Sequence, residues 1–183
     1  MRVIGGNLRG TKLYTLEGLD TRPTLDRVKE SLFNIINFDL KDSVFLDLFA
    51  GSGAIGIEAA SRGSKKVIMC EKSREAFKII NKNLEKTRLE NEIKLYNMDF
   101  EKCIQNELNE KFDIIYLDPP YKTDYAYKAA KLILERQLLN KDGIIILETD
   151  IEQIVEKQFG NLNLEEINKK KYGRACLLFY KAN

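Results

Sequence analysis

Strands and helices alternate through most of this 183-residue chain, and that rhythm predicts an α/β domain of Rossmann-like type. Short apolar or β-branched runs recur at residues 44–48, 66–70, 93–96, 112–117 and 143–148, separated by segments with helical spacing. A glycine-rich turn, Gly51-Ser52-Gly53-Ala54-Ile55-Gly56, follows the first run and opens the next helix. The expected product is a seven-stranded, mostly parallel sheet covered on both faces. An antiparallel C-terminal hairpin forms one edge, and a small N-terminal β-hairpin or arm precedes the sheet.

Each element follows from local chemistry. In the arm, Gly5-Gly6 and Gly10 punctuate strand-like pieces at 2–4 and 12–15. Thr24 is the expected N-cap of a helix over 25–37 that turns Val28, Leu32, Ile35 and Ile36 inward. The helix after the glycine turn should end near Arg62-Gly63, where glycine suits a C-terminal cap. Ser73 should cap a helix running to about Arg88, with Ala76, Ile80 and Leu84 on one face. A helix from about 125 to 138 leads to the fifth strand, and a short helix near 151–158 precedes strands at 162–168 and 175–180. The short join at 169–174 makes that last pair antiparallel. One domain is expected over 1–183, with a basic arm at 1–20 and a catalytic core at 21–183.

Composition narrows the chemistry. With 44% hydrophobic and 32% charged residues, the chain reads as an ordinary globular protein. No apolar run approaches a membrane span and no signal-peptide layout is present, so a cytoplasmic location is expected. The absence of histidine removes His-based triads, His-ligated zinc and an imidazole base. Cys70, Cys103 and Cys176 lie far apart without metal or redox spacing; Cys70 and Cys176 read as small buried hydrophobes. No metal is expected. Net charge is only +2, but residues 1–16 (Arg2, Arg9, Lys12) and 167–183 (Lys169, Lys170, Lys171, Arg174, Lys181) contain no acid. They read equally as a phosphate-facing patch, if the ends meet, or as solvated surface.

Acids end the first four strands: Asp47, Glu71, Asp99 and Asp118. In open α/β sheets this edge binds ligands. Glu71 can accept both hydroxyls of a ribose, and Asp99 the amino group of an adenine flanked by Phe100. Asp47, at the same cavity as the glycine turn, repels a pyrophosphate but attracts the α-ammonium of S-adenosylmethionine. The fourth strand stops at Asp118-Pro119-Pro120-Tyr121, because two prolines cannot donate to a ladder. Asp118 and the Pro119 carbonyl can accept the two N–H bonds of an exocyclic base amine, aiming its lone pair at a methyl donor. Tyr121 offers a stacking face for an extruded base.

Taken together, Asp47-Leu48-Phe49-Ala50-Gly51-Ser52-Gly53 and Asp118-Pro119-Pro120-Tyr121 resemble the class I S-adenosylmethionine-dependent amino-methyltransferases. Arg2-Val3-Ile4-Gly5-Gly6-Asn7-Leu8-Arg9-Gly10, the segment from Arg22-Pro23-Thr24 to Asn34, and the run from Leu48 to Gly63 resemble the bacterial RsmD family more closely. That family methylates the N2 amine of one guanine in 16S ribosomal RNA. The resemblance covers nearly the whole chain. It implies that Gly51, Gly53 and the surrounding turn (Phe49, Ala50, Ser52) cradle the methionine moiety. Glu71, with neighbouring Lys72, then serves the ribose, while Asp99 and Phe100 hold the adenine. Arg22 and Thr24 match the segment that closes over the cofactor, and Arg2, Arg9 and Lys12 would contact rRNA phosphates. The expected partner is ribosomal RNA or an assembling small subunit, and the expected state a monomer. Because DNA adenine methyltransferases share the fourth-strand motif, an N6-adenine methyltransferase acting on DNA or RNA is the alternative.

Overall fold

The computed structural model describes residues 1–16, 23–120 and 123–183; the side chains of residues 23–25 also lie outside the description. Seven strands form one sheet in the order β3-β2-β1-β4-β5-β7-β6. β1 (Val44–Asp47), β2 (Lys66–Cys70), β3 (Ile93–Tyr96), β4 (Phe112–Leu117) and β5 (Leu139–Thr149) are parallel. β6 (Leu164–Tyr172) and β7 (Ala175–Ala182) are antiparallel to each other, and β7 is antiparallel to β5.

Because side chains alternate across a strand, the apolar runs feed two separate cores. Leu46, Ile68, Ile115, Leu117, Ile145 and Leu147 pack beneath α5 (Tyr125–Glu135) and α6 (Glu152–Phe159). Phe45, Val67, Met69, Ile114, Tyr116 and Ile146 pack beneath α1 (Pro23–Ile35), α2 (Ala54–Ser61) and α3 (Arg74–Thr87). Ser73 caps α3 as expected, its hydroxyl accepting from the Ala76 N–H at 3.3 Å.

Several boundaries move. α1 begins at Pro23, so Thr24 lies inside the helix rather than at its cap. β6 continues through Lys169–Tyr172, which shrinks the expected join to Gly173-Arg174. The long β7 supplies pairing partners for Lys169, Lys170, Lys171 and Tyr172, and the ladder extends over the expected join. A three-residue helix, Phe100–Lys102, runs into a π-turn, Cys103–Glu107; a segment that short offers no periodicity to read.

The N-terminal arm is docked, not free. Buried Glu58 of α2 accepts the N–H groups of Ile4 (2.8 Å) and Gly5 (2.7 Å), and pairs with Arg62 and Lys29. Ser61 donates to the Gly5 carbonyl and accepts from the Leu8 N–H. The arm itself is a turn closed by an Arg2–Lys12 bridge.

Candidate functional site

The strand order reverses between β1 and β4, and there the carboxyl ends open into two adjoining cavities. The larger, about 530 Å³, is lined by Phe49, Gly51, Glu71, Lys72, Asp99, Phe100, Asp118, Pro119 and Pro120, among others. The smaller, about 250 Å³, takes Asp47, Phe49, Ala50, Gly51, Ser52 and Asp118. Phe49, Gly51 and Asp118 therefore border both.

The glycine turn is shaped by its backbone. Gly51 has φ +57°, and a Cβ there would meet nothing within 4 Å, so it would project into open space where a ligand belongs. Gly56 does the opposite work: a Cβ would come within 2.5 Å of the Met69 sulfur, so its absence lets α2 settle on β2. Gly53 lines neither cavity and starts α2.

Glu71 is braced from two sides, accepting the Gly51 N–H at 2.8 Å and the Ser73 N–H at 2.7 Å. Each oxygen keeps a second lone pair for a diol. Asp99 is more committed than its sequence position suggests: Oδ1 accepts the Glu101 N–H and Oδ2 pairs with Lys72 at 3.0 Å. Partial burial raises its carboxyl, but those hydrogen bonds outweigh burial and leave it below its ordinary value. Phe100 stacks in a tilted aromatic row, 5.2 Å from Phe49 and 5.2 Å from Tyr125.

Asp47 is almost wholly buried. One oxygen accepts the Gly56 N–H at 3.2 Å, and Oδ1 has no hydrogen-bond partner among the described residues. Burial pushes its carboxyl up to about 7, with the Gly56 N–H opposing and the Glu71 charge adding. Asp118 is raised well above the carboxylate range by burial and by the charges of Glu148 and Asp47. An orphaned acceptor in a cavity of acids fits a cationic ligand. Among the described residues no group of three or more acids or cysteines is arranged to hold a metal ion.

Sequence reading did not find Glu148, Tyr116 or Tyr125. Glu148 lies one residue before the end of β5, at the same carboxyl edge as the four noted acids, and that position was the available signal. The arm enters where it was not expected: Met1, Thr15 and Leu16 line the smaller cavity with Lys29. Arg2, Arg9 and Lys12 are exposed, away from both cavities; Arg2 and Arg9 border a recess with Asp26 and Glu30. α1 lies between the two basic ends, since Lys29 donates to the Arg2 carbonyl and Ser31 meets Tyr172. Yet Lys169 and Lys171 pair with Glu156 and Glu152 of α6, so the C-terminal basic run is partly neutralised. Tyr121 and Arg22 lie outside the described residues, as does the Thr24 side chain.

This topology with its crevice at the strand-order reversal is that of the Rossmann-like methyltransferases. An Escherichia coli structure described as a candidate methyltransferase superposes with TM-score 0.85 at 29% identity, covering 100% of this chain and 98% of that one. A Haemophilus influenzae structure described as a candidate methylase gives TM-score 0.78 at 30% identity, covering 100% and 98%. The chain belongs to the family described as conserved hypothetical protein 95, whose model matches residues 1–181. A Bacillus subtilis relative, described as a candidate rRNA methyltransferase, is 38% identical over 99% of this chain and 98% of its own. The ribosomal RNA small subunit methyltransferase D of Haemophilus influenzae is 39% identical over 82% of this chain and 79% of its own. That of Escherichia coli is 32% identical over 83% and 76%. The resemblance read from the sequence is thereby borne out, and the chain is an enzyme of the methyltransferase class.

Proposed function

We propose that this enzyme methylates the exocyclic N2 amine of a guanine in 16S rRNA, with S-adenosylmethionine as donor. The observation that carries the reading is the position of Asp118, which borders both cavities at the strand-order reversal. The relatives' names supply the rRNA; the cavity chemistry supplies the amine.

Glu71 would hold the ribose, the Phe49–Phe100–Tyr125 row and Asp99 the adenine, and the free oxygen of Asp47 the α-ammonium. The chemistry supplied there is an electrophilic methyl group on a sulfonium. Asp118 and the Pro119 carbonyl accept the two amine N–H bonds and leave the nitrogen lone pair directed at that methyl. As the N–C bond forms, the S–CH3 bond would break and a neutral thioether would leave; the methylated amine would be cationic, and Asp118 would stabilise that charge and accept the proton it releases. Tyr121 would stack on the extruded base, and Arg22 and Thr24 would close over the donor. Arg2, Arg9 and Lys12 would hold rRNA phosphates. The enzyme would act as a monomer in the cytoplasm, on ribosomal RNA or the assembling subunit.

Nucleoside mass spectrometry of small-subunit rRNA from cells with and without the protein tests this. Loss of one N2-methylguanosine is expected; loss of N6-methyladenosine instead would establish the adenine alternative.

A further inference from the structure

Glu148 has no part in the steps above, yet it stands beside Asp118. Leu117 of β4 pairs with Leu147 of β5 in parallel register, so the next residues, Asp118 just past the end of β4 and Glu148 one residue before the end of β5, lie side by side. The Tyr116 hydroxyl donates to Glu148 Oε2 at 2.5 Å and fixes the carboxyl from below. Oε1 accepts no hydrogen bond among the described residues, and the side chain lines the smaller cavity with Asp47 and Asp118. Lys29, the cation of that cavity, is engaged by the Arg2 carbonyl and Glu58. Asp47, Asp118 and Glu148 together offer a ligand acceptors, and burying three acids together is costly unless a donor-rich ligand answers them.

Purine edges differ in just this respect. Guanine presents the N1–H donor next to its N2 amine, whereas adenine presents an N1 lone pair next to its N6 amine. A carboxylate beside the amine-holding carboxylate complements the first and repels the second. We infer that Glu148 is the specificity-determining residue: it accepts the guanine N1–H while Asp118 holds the N2 amine, and Tyr116 is its positioning residue. This rests on the guanine-N2 reading above.

The test uses small-subunit rRNA ligated from fragments, with guanine or 2-aminopurine at the methylated position. 2-Aminopurine keeps the amine, replaces N1–H with a lone pair and lacks O6, so the change in ratio between wild type and variant is what isolates N1. The wild-type enzyme should favour guanine in kcat/KM by well over tenfold. Glu148→Gln, whose amide can donate to that lone pair, should narrow the ratio at least about tenfold, with S-adenosylmethionine affinity held within twofold. An unchanged ratio in the variant overturns the inference. So does a wild-type ratio near one, a result that needs no variant to fold. Failure of the wild type on the guanine substrate would instead refute the guanine-N2 reading itself.

Discussion

The side-chain amide of Asn83, on α3, donates to the Ser52 carbonyl in the glycine turn at 2.9 Å. The same nitrogen donates to the Tyr14 carbonyl at 2.9 Å, and Oδ1 accepts the Tyr14 N–H at 2.7 Å. One buried amide thus ties the N-terminal arm to the cofactor turn. Asn83→Ala strands three backbone groups, and should destabilise the fold by about 2–4 kcal/mol in urea unfolding. Calorimetry should also show S-adenosylmethionine binding weakened several-fold although Asn83 touches no cavity; unchanged affinity would show that the turn holds its shape alone.

Much of this was legible from local chemistry, and the limits are physical. Five parallel strands, the Ser73 cap and the glycine turn each answer to a periodicity or a backbone requirement that a few neighbouring residues express. The arm's docking does not, because Glu58 sits mid-helix among alanines and its partners Ile4 and Gly5 lie more than fifty positions away. Glu148 was hidden for a related reason: its meaning depends on the register that sets it against Asp118. Asp99 shows the converse, since its position was visible from sequence but its pairing with Lys72 was not.

Asp118 faces both cavities without standing among the cofactor-turn residues. Asp118→Ala should lower the methyl-transfer rate by at least about 10²–10³-fold, the loss expected when a preorganised hydrogen-bond acceptor is removed from a developing cation. Cofactor affinity should stay within a few-fold. Equal losses in both assays would make Asp118 a cofactor ligand and not an amine clamp.

Asp47 should make stability fall as pH rises. An acid raised to about 7 from its ordinary 3.8 holds its proton more tightly folded than unfolded. Folding therefore loses free energy once the pH passes the unfolded value, and the loss levels off above the folded one. At about 1.4 kcal/mol per pH unit the penalty reaches up to about 4 kcal/mol. Asp118 and Glu148, also raised by burial, add to the wild-type slope. The difference between wild type and Asp47→Asn isolates Asp47: the variant should gain on wild type between pH 4 and pH 8. Binding of a cation should strengthen over pH 6–8 in wild type, and less steeply in the variant.

Glu58 concentrates the arm's attachment, with Lys29 Nζ at 3.3 Å and Arg62 Nε at 2.8 Å beside the two arm N–H groups. Glu58→Ala leaves buried cations and donors without their acceptor and should cost about 3–5 kcal/mol. Limited proteolysis at low temperature should then cut within residues 1–16 in the variant and not in wild type. Cleavage at equal rates would show that Ser61, Asn83 and Lys29 suffice to hold the arm.

Charge pairing separates the two basic ends as rRNA contacts. Lys169 and Lys171 already face Glu156 and Glu152, so their ammonium groups are engaged and not offered to a phosphate. Arg2, Arg9 and Lys12 project from the docked arm as exposed cations. If each neutralises one phosphate, the slope of log affinity against log salt changes by about 0.7 per contact on single-stranded RNA. Alanine at all three should therefore flatten the slope by about 2 in filter-binding titrations, whereas Lys169→Ala with Lys171→Ala should leave it unchanged. A flattened slope in the second variant alone would move the RNA contact to β6, because only phosphate engagement releases counterions in proportion to the cations removed.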